Sequence, residues 1–271
     1  MNTKALRRGA RWLWYSFSAL VLFYLVVPIT IVVPLSFSKA SFLQFPPVAY
    51  STRWYEQLFQ DPLWFDSISN SLKIGLMATT LSIVVGTMAA MALSQIRFRG
   101  QGAITGLLLS SMIIPQIITA IAMYFLFAEW RLIGNSLALV AGHTVLGLPF
   151  VFINVSASLQ AFDYRLEHAA LSLGATPWRA FRRVKLPLIL PGMLSGGFFT
   201  FVLSFNELVV ALFLAGPNRT LPIQMWNGIR VQITPAIAAA STLLLGSCVL
   251  IYVLYEFSIY GLRRRQKGGT T

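Results

Sequence analysis

Leu132–Phe162, LIGNSLALVAGHTVLGLPFVFINVSASLQAF, runs for 31 residues without an Asp, Glu, Lys or Arg. A helix needs about 20 mostly apolar residues to cross a bilayer, so this stretch holds one span and is too short for two. Four more charge-free gaps have comparable length. They lie between Arg11 and Lys39, Lys73 and Arg97, Arg99 and Glu129, and Arg230 and Glu256. A sixth apolar stretch, Leu186 to Asn218, is interrupted only by Glu207. The pattern predicts six membrane-spanning helices at about 12–36, 72–94, 103–127, 136–158, 191–215 and 237–260. Soluble helices average about 11–12 residues, which makes six buried core helices of this length a poor alternative.

Composition agrees. Only 11 % of the 271 residues are charged and 56 % are apolar, against about 25 % charged in soluble domains. A disordered chain would need the opposite bias. The single cysteine, Cys248, excludes a disulfide framework and a thiolate zinc site. The fold class expected is all-α: a polytopic membrane protein forming one domain over residues 1–271.

The net charge of +13 first suggests an anionic partner. Sorting the basic residues changes that. With the N-terminus cytoplasmic, fifteen fall inside, among them Lys4, Arg7, Arg97, Arg99, Arg165, Arg183, Lys185 and Arg263. Five fall outside: Lys39, Arg53, Arg131, Arg219 and Arg230. This asymmetry follows the positive-inside rule and places both termini in the cytoplasm, with no nucleic-acid partner implied. The first apolar run exceeds the 7–15 residues of a signal-peptide core, so it reads as an uncleaved first helix. The seven tryptophans lie in loops or near predicted helix ends, as interfacial aromatics do.

Two loops are long. The outer one, about 38–71, reads either as an amphipathic cap on the membrane or as a docking surface for an external partner. The cytoplasmic one, about 159–190, has helical periodicity. Leu166, Ala169, Ala170 and Leu173 share one apolar face, Gly174 ends the helix, and Pro177 starts a second short helix closed by Pro187. It reads as a projecting knob or as a loop resting on lipid phosphates.

This segment also carries a family signature. Glu167-His168-Ala169-Ala170-Leu171-Ser172-Leu173-Gly174-Ala175, then Phe181, Val184, Leu186-Pro187 and Pro191-Gly192, resembles the EAA loop of ABC importer permeases. His168 stands where the motif has glutamate, and Glu167 supplies the nearest carboxylate. Arg97-Phe98-Arg99-Gly100 and Ser204-Phe205-Asn206-Glu207-Leu208-Val209-Val210, followed by Gly216-Pro217 and Leu221-Pro222, extend the likeness. The last set resembles the smaller permease of the spermidine/putrescine branch, while related branches carry opines, other amines and aminophosphonates.

The resemblance implies a type I importer permease fold in a bacterial inner membrane. It implies a second, different permease chain, two cytoplasmic ATPase subunits and a periplasmic binding protein that delivers a small cationic amine. Glu167, His168, Ala169, Ala170, Leu173, Gly174 and Ala175 would then couple the chain to the ATPase. The chain has no G-x-x-x-x-G-K-[ST] phosphate loop, so ATP and Mg would be bound by the partner and not by this chain. No catalytic constellation or metal-ligand spacing is evident; His143 reads as a packing residue rather than part of a proton relay.

Glu207 is the most informative single residue. An acidic group deep in a span costs roughly 2.5–3.5 kcal/mol on insertion scales and usually faces a bundle interior or a water-filled path. Counted from Pro191, it lies ~24 Å along the fifth helix at 1.5 Å per residue, toward the outer half. It reads either as an amine-attracting residue, helped by Asn206, or as a structural ion pair with Lys73 or another helix. Gly102-x-x-x-Gly106 and Gly192-x-x-x-Gly196 read as helix-packing patterns, and Pro28, Pro115 and Pro149 as kinks. An ion-driven transporter would need paired repeats or a relay of ionisable groups, and neither is evident.

Overall fold

A computed structural model of the chain describes residues 3–95, 98–231 and 233–268. Arg97, part of the sequence signature, lies outside them. Twelve helices follow in order: α1 Thr3–Ser36, α2 Arg53–Gln60, α3 Pro62–Gln95, α4 Gln101–Ile113, α5 Gln116–Glu129, α6 Ser136–Gln160, α7 Tyr164–Ser172, α8 Pro177–Ala180, α9 Leu186–Phe205, α10 Val209–Leu214, α11 Leu221–Val231 and α12 Pro235–Gly268. No strand occurs among the described residues; an isolated bridge joins Ser38 and Tyr50. Among the described residues five helical stretches are long and apolar enough to cross a membrane, and six if the α4–α5 pair counts as one.

The chain divides into two compact units. The smaller comprises residues 1–61 and 227–245. Its apolar α1 buries none of its spanning window, so that face is available to lipid or another chain. The outer loop here is built. Trp54 is buried and its Nε1–H donates to Ser38 O at 2.8 Å, while the Tyr55 hydroxyl meets Ser36 Oγ at 2.7 Å. Trp54, and Trp64 in the larger unit, are therefore packing residues and not the interfacial aromatics their positions suggested.

The larger unit comprises residues 62–226 and 246–271, with α3, α6 and α9 packed against one another. The close approach of α9 to α6 explains two sequence glycines. A Cβ on Gly192 would collide with the Asn154 carbonyl and Ser158, and one on Gly196 with the Val151 backbone. Thr200 Oγ1, next on the same face, donates to Gly147 O at 2.9 Å. Gly192-x-x-x-Gly196 is thus a genuine contact stripe, whereas Gly102 and Gly106 have open space around the missing Cβ among the described residues of this chain.

The described helices α1, α9 and α12 extend beyond the expected bounds, to Thr3, Leu186 and Gly268, and three further departures shape the larger unit. α3 begins at Pro62, ten residues before the expected start at 72, because Trp64, Ser67 and Ser71 are buried and hold the extra turns. The third span is broken: α4 and α5 meet at an angle of 108° around Ile114-Pro115, where proline removes a ladder donor and biases its predecessor to extended backbone. The fifth span stops at Phe205 instead of running to 215, and the chain breaks over 206–208 before α10.

Candidate functional site

Two places gather the polar residues singled out in the sequence, and both lie in the larger unit. The first is the segment after α6, the long loop at about 159–190 of the sequence reading. Asp163 opens α7, its carboxylate accepting the Arg165 N–H at 2.9 Å. Gly174 closes it at φ +83°. The Gly174 N–H bonds Leu171 O and the Ala175 N–H bonds Ala170 O, both at 3.0 Å, which is the paired closure of a Schellman C-cap. Thr176 then opens α8, its hydroxyl accepting the Arg179 N–H, with Pro177 at the first helical position. The helix–glycine–helix pattern expected from the sequence is present.

Its far end differs. α8 is not closed by Pro187. It continues through a π-helical turn, Phe181–Lys185, into α9, so one helical rod runs from Pro177 to Phe205. Proline lacks the N–H that a regular ladder needs, and the widened turn just before it absorbs the mismatch. The rod joins the knob directly to a span.

The knob's apolar face is uncovered. Leu173 is 88 % exposed, Leu166 is exposed, and so are Ala169 and His168. Ala170, Leu173, Gly174 and Ala175 of this face meet Arg179, Ala180, Arg183 and Val184 around a shallow groove of about 290 Å³. Glu167 turns the other way. Its carboxylate lies 2.6 Å from Lys185 Nζ, so the two polar residues at the head of the motif part company: His168 faces out and Glu167 faces in. Lys185 is buried, a residue the sequence pattern did not single out.

The second place is the double break in the spans. Glu207 sits between α9 and α10 and is 4 % exposed. One carboxylate oxygen accepts the Val210 N–H at 2.7 Å, and the other accepts the side-chain amide of Gln116. Gln116 is the first residue of α5, just past the Pro115 break. A carboxylate at the α10 start satisfies an N–H that the helix leaves open. No ion pair to Lys73 forms among the described residues. Asn206 is exposed and donates instead to Val202 O at 2.8 Å, so it does not share Glu207's partners. Below the break, His143 is buried and its Nδ1 lies 2.7 Å from Ser204 Oγ. That contact pins α6 to the last turn of α9 and suits the packing role. Among the described residues no cluster of three or more His, Cys, Asp or Glu could hold a metal.

Known proteins resemble this chain. Residues 82–267 match the family described as binding-protein-dependent transport system inner membrane component. The chain belongs to this family. It is 33 % identical over 246 residues to the spermidine/putrescine transport system permease protein PotC of Haemophilus influenzae, covering 89 % of this chain and 94 % of that one. It is 31 % identical to the putrescine transport system permease protein PotI of Escherichia coli, over 84 % of each. Among solved structures, a bacterial ABC transporter involved in the import of alginate superposes with a TM-score of 0.65, 17 % identity, and coverage of 100 % of this chain and 99 % of that one. The MetNI methionine ABC transporter superposes at 0.62 with 20 % identity, covering 75 % and 99 %. These likenesses establish the ABC importer permease fold. The chain is thus a multi-pass inner membrane component of a binding-protein-dependent transport system.

Proposed function

We propose that the permease carries a small cationic amine of the polyamine type inward, driven by ATP hydrolysis on partner subunits. The observation that carries this reading is the uncovered apolar face of α7 and α8, with Leu173 almost fully exposed at its tip. Contiguous exposed apolar surface marks a docking site, and here it stands at the end of a rigid rod. Arg179 and Arg183 flank the groove and offer charge-assisted hydrogen bonds to carboxylates of an ATPase subunit. ATP and Mg belong to that subunit in this reading.

The remaining assignments follow. Both termini lie in the cytoplasm, because fifteen basic residues then fall on the positive side. A second, different permease chain completes the pathway, two ATPase subunits dock below, and a periplasmic binding protein delivers cargo from above. The membrane is a bacterial inner membrane. Glu207 draws the amine. Its carboxylate lies where two broken spans meet, and an acidic group within a span usually faces a bundle interior or a water-filled path. A protonated amine offers stronger hydrogen bonds than the Gln116 amide, so cargo can displace that partner.

Relatives named for spermidine and putrescine support the cargo class. Uptake of radiolabelled putrescine by vesicles holding the assembled complex tests it. Saturable uptake that competes with spermidine supports an amine. Uptake of an opine or aminophosphonate with none of putrescine assigns the neighbouring branches instead.

A further inference from the structure

Lys185 and Glu167 join α7 to the rod across a short corner of the chain. Between α7 and α8 the chain passes through Leu173 and Gly174, then Ala175 and Thr176, with Gly174 at positive φ and open space where a side chain would stand. The Schellman closure braces this corner locally, and a side-chain link from α7 to the rod adds a second path for displacement.

The salt bridge bypasses the corner. Glu167 lies one turn into α7 and Lys185 closes the π-helical turn at the foot of α9, with Nζ and Oε2 2.6 Å apart. The Lys185 side chain is 3 % exposed and that of Glu167 22 %. Nζ also lies 5.5 Å from the centre of the Tyr164 ring and 5.8 Å from that of Phe162, within the range of cation–π attraction. The ammonium, carried on the rod, is therefore held by residues of the α6–α7 connection and of α7 at once. A π-helical turn often marks a functional position, and here it aims the lysine back toward α7.

We infer that the Glu167–Lys185 pair is a strut that carries displacement of α7 into the spanning rod α8–α9, making Lys185 a positioning residue for coupled transport. The inference rests on the reading of α7 as the ATPase-docking helix. It gives Glu167 an internal task and leaves His168 and the apolar face for the partner surface.

The test must separate a strut from a folding element. Removing Glu167 alone would leave Lys185 as a buried, uncompensated cation, which is damaging whatever the pair does. The double variant E167Q/K185M removes both charges and keeps both shapes. It is compared with K185R and the unaltered chain, each in the full complex with its ATPase, second permease and binding protein, using radiolabelled putrescine in proteoliposomes. The double variant should accumulate in the membrane and retain the ATPase subunit at unaltered yield. Putrescine moved per ATP hydrolysed should fall about tenfold or more, the loss of one charged hydrogen bond between α7 and the rod, while the fold tolerates the joint replacement. K185R should keep at least about half the unaltered ratio, since its guanidinium can still reach the carboxylate. A double variant with an unaltered ratio overturns the strut, and so does one that loses the ATPase subunit or fails to accumulate. If the unaltered chain itself binds no ATPase subunit, the docking reading fails first, and the strut falls with it.

Discussion

The side-chain amide of Gln116 donates to the Glu207 carboxylate and so ties together two separate breaks in membrane-spanning helices. One break follows Ile114, where α4 and α5 meet at 108°; the other separates α9 from α10. A contact between two interrupted helices can be exchanged for a ligand without unfolding either.

Replacing Glu207 by Gln removes the charge and keeps the shape. The new amide can still accept from Val210 and pair with Gln116, so the complex should assemble at unaltered yield. Putrescine uptake should fall about tenfold or more, since a charged hydrogen bond is worth ~1.5–3 kcal/mol. Initial uptake rates in vesicles measure this, and an unchanged rate would remove Glu207 from the pathway.

Gly174 should tolerate substitution in order of comfort at positive φ. Nothing stands near its missing Cβ, so any loss arises from the backbone. Asn should be mild, Ala should cost ~1–2 kcal/mol, and Val more. Putrescine-stimulated ATP hydrolysis should decline in that order.

Leu173→Asp places a charge on the uncovered apolar tip. The chain should still reach the membrane, because Leu173 is 88 % exposed and supports no core. Co-purification of the ATPase subunit should be lost. Retention at the unaltered level would show that the tip is not the docking surface.

Gly196→Val and Gly102→Val form a matched pair. The first drives a side chain into the Val151 backbone and should destabilise by ~1–3 kcal/mol. The second meets open space and should leave the thermal unfolding midpoint of the purified complex unchanged.

Much of this arrangement was legible in the residues. Charge-free gaps located the spans, since charge is what a bilayer excludes. Gly174 and Pro177 marked the two-helix segment, because the left-handed position after a helix favours glycine and the first helical position favours proline. What stayed hidden depends on contacts between distant segments. Pro115 read as a kink, and only packing turned it into a 108° break that brings Gln116 to Glu207. Pro187 read as a stop, because the π-helical turn that accommodates it has no sequence pattern of its own. Lys185 looked like one more basic residue of a cytoplasmic loop. Its burial beside Glu167 depends on how α7 folds back on the rod. Gly102-x-x-x-Gly106 and Gly192-x-x-x-Gly196 are identical in pattern, and only the second has a neighbour among the described residues.

The most direct test of the account is putrescine uptake by proteoliposomes containing this chain, its partner permease, the ATPase pair and the binding protein. The account predicts uptake that requires both enclosed ATP and the binding protein, and that an imposed ion gradient cannot replace. Uptake by this chain without any ATPase, driven by an ion gradient, would contradict it.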